Sequence, residues 1–257
     1  MVKKHRLKRL LGTVWLRKSK VVDGEFVMGF MNLGHRGAKT YAPENTMKSF
    51  NLALDMGVNG LETDVRQTKD GFLVLSCYDT TELCTGVNNI IRETNFADLY
   101  KLDFGDGEHI VLLEDFLKAF GNKDLFLAIE IKQENIHKET LEYVRKYVKN
   151  IDKVTITSFE FENLVDTRNY DKNISLGYLT DFCTDIELDM IDSINAKQIC
   201  PKAENITKEN VKYAHDKGFA VRAWGIVDEN DMKHCLNCGV DGMTINFPDK
   251  LTEALKG

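Results

Sequence analysis

Residues 197–245 read KQICPKAENITKENVKYAHDKGFAVRAWGIVDENDMKHCLNCGVDGMTI. Three short apolar runs, 197–200, 219–226 and 241–245, alternate with two amphipathic stretches, 207–217 and 228–238. The short runs have strand length and the stretches between them helical length. Thr207 with Asn210 three residues on, and Asp228 ahead of Glu229, mark helix starts. Gly218 and Gly239 stand where helices close. Strands joined by whole helices are neighbours in a parallel sheet.

The same rhythm runs back through the chain. Strands are expected over 29–34, 59–65, 125–131, 153–158 and 174–179, and helices over 43–56, 112–120, 136–149, 160–169, 184–193 and 249–256. Eight βα units in strict alternation predict an α/β protein, a closed (β/α)₈ TIM barrel, spanning 27–257. An open doubly wound sheet is the alternative, but no Gly-rich dinucleotide fingerprint supports it. One segment, 66–111, breaks the alternation after the second strand. It contains a further strand-like run, Phe72–Cys77, reached through Gln67-Thr-Lys-Asp-Gly71. That connection is too short for a parallel crossover, and Asp-Gly favours a hairpin, so the run turns back antiparallel. The remainder of 66–111 is expected as a lid over the strand ends, where barrel chemistry gathers.

The chain has 257 residues, 43% apolar and 29% charged, with three prolines and no Gly/Ser tract, which favours one domain. Its formal charge of −6 is uneven: residues 1–20 carry eight Lys and Arg and no acid, leaving −14 on the rest. An acidic body is a poor nucleic-acid surface. In the basic segment 1–26, Leu7, Leu10, Leu11, Val14 and Trp15 share one helical face. Such a helix covers the barrel bottom or, alternatively, lies on an anionic membrane surface through residues 1–20. Its apolar stretch is too short to span a bilayer and lacks a cleavage site. Six cysteines (77, 84, 183, 200, 235 and 238) show no framework spacing, and Cys235-x-x-Cys238 has no second pair. Reduced thiols in a cytoplasmic protein are therefore expected.

Chemistry concentrates at three expected strand ends. His35-Arg36-Gly37 closes the first strand, Glu62-Thr-Asp64 the second, and Glu130-Ile-Lys132 the third barrel strand. Glu62 and Asp64, two apart, point the same way. With Glu130 they form an oxygen-rich set suited to Mg²⁺ or Ca²⁺. Arg36 and Lys132 can meet a phosphate from the other side. His35 is the acid/base or nucleophile candidate. Each element has a plainer explanation. Glu-x-Asp can be merely solvated, Glu-Ile-Lys a simple ion pair, and Pro43-Glu44-Asn45-Thr46 a helix start. Their joint occurrence on consecutive strand ends favours a site.

These motifs, with Thr68-Lys-Asp-Gly71, Leu112-Leu-Glu-Asp-Phe116, Trp224 and Gly239-Val-Asp-Gly-Met-Thr-Ile-Asn-Phe-Pro248, resemble the glycerophosphodiester phosphodiesterases from residue 30 onward. The resemblance implies a (β/α)₈ barrel with an insertion after its second strand. It implies a divalent cation on Glu62, Asp64 and Glu130, with Glu44 close by. Phosphate falls to Arg36 and Lys132, and Trp224 lines the pocket. The implied reaction releases an alcohol and glycerol 3-phosphate, with two histidines sharing the proton transfers. The first matches His35. The second falls on Cys77, a departure from the family pattern; His109, in the insertion, has no spacing that recommends it as a substitute. Two functions therefore stand: a metal-dependent phosphodiester hydrolase with Cys77 in the second proton-transfer position, or an impaired barrel that binds glycerophosphodiester or lysolipid head groups.

Overall fold

The computed structural model describes residues 29–256. The basic segment 1–26, with its amphipathic face, lies outside the described residues. Strands β1 (Met31–His35), β2 (Gly60–Gln67), β4 (Phe126–Ile131), β5 (Val154–Ser158), β6 (Ser175–Thr180), β7 (Gln198–Pro201), β8 (Ala220–Ile226) and β9 (Gly242–Ile245) are mutually parallel. Closure is explicit in the register, since β1 pairs with β9 (Met31 opposite Gly242) and with β2 (His35 opposite Glu62). The expected barrel is what forms. Beyond the end of β1, the free edge of β2 is taken by β3 (Leu73–Leu75), antiparallel, with Val65 opposite Leu75. Gly71 at φ 88° makes the tight turn between them.

Around the sheet run helices α1 (Met47–Asp55), α2 (Glu82–Thr85), α3 (Phe96–Leu99), α4 (Leu113–Phe120), α5 (His137–Tyr147), α6 (Phe161–Tyr170), α7 (Asp185–Ser193), α8 (Lys208–Asp216), α9 (Glu229–Cys238) and α10 (Pro248–Leu255). The caps expected from sequence are present. Thr207 and Asn210 form a reciprocal capping box, Asp228 accepts from the amides of Asn230 and Asp231, and Gly239 closes α9 in the left-handed region. Apolar faces of the helices pack on the outside of the barrel. Phe50 of α1 meets Phe116 and Phe120 of α4 edge-on, at 4.7 and 5.9 Å. Segment 66–111 has its own small core of Val74, Ile91, Leu99, Phe104 and Ile110. It meets the first turn of α1 through a Lys48–Asp106 ion pair of 2.9 Å.

One helix start differs from expectation. Helix α1 begins at Met47, not at residue 43. Asn45 has φ 57°, incompatible with a helix, and the Thr46 hydroxyl accepts from the Ser49 amide as the true N-cap. Pro43-Glu44-Asn45 is thereby free to wrap the strand ends. Gly37 lets α1 dock there. It has φ 85°, and a Cβ on it would lie 2.4 Å from Ser49 backbone and hydroxyl. Gly37→Ala should therefore cost about 3 kcal/mol, by clash and backbone strain together. Urea unfolding checks this; an unchanged midpoint would show that α1 does not sit against this turn.

Candidate active site

The C-terminal ends of β1, β2 and β4 bring the acids together. Asp64 is level with Glu130 in the β2–β4 register, and Glu62 is level with His35 in the β1–β2 register. Glu62, Asp64 and Glu130 are all buried and each offers an oxygen within 4.8 Å of the others. Burial first, and then the charge of Asp64, push Glu62 and Glu130 well above the usual carboxylate range, and Glu130 adds to the rise at Glu62. Burial would raise Asp64 too, but Arg36 and Lys132 together outweigh it and hold this carboxyl low. Asp64 Oδ1 and Glu130 Oε1 are buried, and the Lys132 ammonium meets them both. Oxygen donors that are close, mutually repelling and neutralised only by neighbouring side-chain cations fit a hard divalent cation.

The two cations sit against these carboxylates rather than across from them. Arg36 Nε is 2.9 Å from Asp64, and Lys132 Nζ lies 2.6 Å from Glu130 and 3.4 Å from Asp64. This modifies the sequence expectation that both simply face a phosphate. Paired acids in low dielectric draw in the nearest cations. Arg36 itself is held in the left-handed region at φ 50°, a strained state for a non-glycine residue. Three contacts fix it there. Its N–H donates to Glu62 at 3.0 Å, and its carbonyl accepts from the Ser49 hydroxyl and the Asn45 amide, each at 3.0 Å.

His35 closes β1 with its Nδ1 against the Asn246 side-chain oxygen. That oxygen can only accept, so Nδ1 carries the proton and Nε2 keeps its lone pair, 3.9 Å from Glu62. Burial and then Arg36 push the imidazole down to about 3, so it is neutral. A pocket of about 180 Å³ opens over this cluster. His35, Arg36, Glu62, Glu130, Lys132 and Trp224 line it together with Phe159 and Arg222. Trp224 packs edge-on to Phe159 at 4.8 Å and donates to the Thr180 carbonyl at 3.0 Å.

Three of the residues singled out from sequence, Asp64, Glu44 and Cys77, lie beside this pocket instead of in its wall. Glu44 pairs with Arg36 and with Lys39, each at 2.8 Å, so it braces a cation and does not line the pocket. Cys77 follows β3, where the Ser76 amide bonds to the Asp64 carbonyl at 3.0 Å. Its thiol is half-buried and feels Asp64, Arg36 and Lys132; burial first, then Asp64, pushes it up to about 12. It stays protonated at neutral pH. His109 is occupied elsewhere, bonding to the Leu102 carbonyl at 3.0 Å and stacking on Tyr100.

The sequence did not single out Asn45, which donates to Asp64 at 3.0 Å and accepts from Thr63 at 2.9 Å. Asn246 and Arg222 were likewise missed. Asn246 follows the Gly34–Ile245 pair of β1 and β9, so strand register would have placed it beside His35.

A family model described as the glycerophosphoryl diester phosphodiesterase family matches residues 35–250. The chain belongs to this family. That makes it an enzyme of the phosphodiesterase type. Among curated relatives it is 28% identical to a glycerophosphodiester phosphodiesterase of Caldanaerobacter subterraneus subsp. tengcongensis, over 87% of this chain and 97% of the relative. It is 30% identical to one of Bacillus altitudinis, over 86% and 98%. Among solved structures it resembles an Oleispira antarctica phosphodiesterase in complex with the product sn-glycerol-3-phosphate. That likeness has a TM-score of 0.82 at 24% identity and covers 88% of this chain and 96% of the other, which bears on the fold.

Proposed function

We propose that this glycerophosphodiester phosphodiesterase family member hydrolyses glycerophosphodiesters to an alcohol and glycerol 3-phosphate, using Mg²⁺ or Ca²⁺. The observation that carries it is the buried Glu62–Asp64–Glu130 cluster with Arg36, Lys132 and a neutral His35 around it. Those three carboxylates would hold the ion, which when bound supplies Lewis-acid polarisation of a phosphoryl oxygen. Arg36 and Lys132 bind phosphate oxygens, and Lys132 is on a flexible stem that can leave Glu130 to do so. His35 Nε2 takes the proton of the attacking oxygen, while Asn246 keeps the imidazole in the tautomer that can accept it. Trp224 and Phe159 give the substrate an apolar wall. Cys77 is the residue assigned to leaving-group protonation.

A second function, a barrel that captures glycerophosphodiester or lysolipid head groups and scarcely turns them over, is favoured by one observation. The Cys77 thiol is held neutral up to about 12, and a thiol hydrogen-bonds weakly. Assay of glycerophosphocholine beside a bis-aryl phosphate, with and without chelator, separates the two. Hydrolysis of both, lost on removing the cation and restored by adding it back, is expected. Tight binding of glycerophosphocholine with turnover of neither would establish the binding function instead.

Small-molecule diesters, and not nucleic acid, are the proposed partners, in keeping with the net charge of −6. Placement in the cytoplasm, with peripheral membrane contact through residues 1–20, is also a proposal. Among the described residues no helix is long and apolar enough to cross a membrane.

A further inference from the structure

The floor of the pocket contains a buried charge that phosphodiester hydrolysis, as described so far, does not use. Arg222 on β8 is 1% exposed and lines the pocket. Its Nε donates to Gln198 at 3.0 Å and its Nη1 to the Thr244 hydroxyl, both neutral acceptors. Its Nη2 has no partner. Among the described residues no carboxylate lies within ion-pair distance of this guanidinium. Thr157 on β5 also lines the floor, and its hydroxyl is likewise buried and unpartnered. Gly177 on β6 leaves a gap between Thr157 and Gln198, the residue that receives Arg222. A Cβ there would stand 3.1 Å from Thr157 Cγ2 and 2.9 Å from the Gln198 oxygen that receives Arg222. A guanidinium without a counter-charge is costly to bury, and an anionic oxygen is the acceptor its free Nη2 fits. Charge points the same way. Glu62, Asp64 and Glu130 are matched in number by Arg36, Lys132 and Arg222. A divalent ion and one phosphodiester added to that set leave positive charge over.

We propose that Arg222 Nη2 and Thr157 Oγ1 form a second oxyanion subsite, which takes a carboxylate carried on the same molecule whose phosphate lies at the acid cluster. The subsite rests on the proposed phosphate-binding function and narrows it to substrates and products with a second anionic group. Arg222 is the specificity-determining residue.

Two small probes isolate that second charge. In 3-phosphoglycerate a carboxylate replaces the terminal hydroxymethyl of glycerol 3-phosphate, and the phosphate end is unchanged. Calorimetric titration of each into the native protein with saturating Mg²⁺ should show 3-phosphoglycerate binding at least about tenfold tighter, the range for a charge-assisted hydrogen bond. Arg222→Met should abolish that preference while glycerol 3-phosphate affinity changes by less than about threefold. Thr157→Val, nearly isosteric, should reduce the preference by at least about threefold, since its hydroxyl donates to the same carboxylate. Should Arg222→Met not fold, the native ratio and Thr157→Val decide. Equal affinity of the native protein for both probes, or a preference that survives Arg222→Met, overturns the subsite while leaving phosphate binding intact. Failure of both probes to bind overturns the phosphate-binding function itself, and the subsite with it.

Discussion

An Asp64→Asn variant is expected to lose divalent-cation affinity by at least about 100-fold and glycerophosphodiester turnover with it, while keeping its circular-dichroism spectrum. Asp64 is fully buried, is held ionised by Arg36 and Lys132, and shares the cluster with Glu62 and Glu130. Removing its charge takes away the one member of the set that stays a carboxylate without help from the ion. It also leaves Arg36 and Lys132 short of a buried partner, a loss of about 3 kcal/mol in the ion-free protein. Glu62→Gln should act oppositely on stability. It relieves repulsion from Asp64 and Glu130, and an amide oxygen can still accept from the Arg36 N–H, so the ion-free midpoint rises while cation binding falls.

The pH dependence separates the two effects. Glu62 and Glu130 have folded values raised above their unfolded ones. Their contribution is therefore full below the unfolded carboxylate range and is lost as pH climbs through the raised values. His35 works in the other direction, being depressed, but only below its ordinary value of 6.5. Above that value, as the unfolded imidazole also loses its proton and His35 drops out of the balance, ion-free stability should fall with pH up to about pH 8. Saturating Mg²⁺ or Ca²⁺ should offset the fall, since a ligand at 100 times its Kd contributes about 2.7 kcal/mol. Thermal unfolding of native protein and Glu62→Gln across that window checks the sign. An upward slope in the ion-free native protein would contradict the carboxylate repulsion.

Cys77→His is expected to raise turnover of glycerophosphocholine by about 10²–10⁴, the usual worth of a positioned general acid. The native thiol, pushed up to about 12, is a weaker proton donor to a departing alkoxide than an imidazolium. An imidazole at the same place would stand near Asp64, Arg36 and Lys132, within reach of the same substrate. Aryl diesters, whose alcohols leave unaided, should gain only a few-fold. His35→Ala should lower both substrates alike by about 10²–10⁴, because accepting the attacking oxygen's proton does not depend on the leaving group. Steady-state kcat for the two substrate types in the three proteins is the check. Equal rates for native and Cys77→His on the choline diester would show that residue 77 does not protonate the leaving group.

The barrel was legible because its strands are short apolar runs separated by capped helices, and both signals are local. Thr207, Asp228 and Gly239 cap where their residue types require. The hairpin was legible for the same reason, since Asp70-Gly71 leaves no other route for Phe72–Cys77. The acid cluster followed from alternation, as Glu62 and Asp64 share a face and Glu130 falls on the neighbouring strand. What the sequence hid was set by register between distant strands. The His35–Asn246 contact joins residues 211 apart, and Arg222 reaches Gln198 and Thr244 on the strands either side of it. Pro43-Glu44-Asn45 was misplaced in a helix because Asn45 is held left-handed by tertiary hydrogen bonds to Asp64 and Thr63, which local propensity does not register.

Manganese tests the acid cluster most directly, being a hard ion with the oxygen preference of magnesium and a visible anomalous signal. Crystals grown with it should show one strong anomalous peak about 2.0–2.6 Å from oxygens of Glu62, Asp64 and Glu130, with Lys132 drawn away from Glu130. Crystals with no peak among those three side chains, and Lys132 still seated between Asp64 and Glu130, would contradict the proposed metal centre.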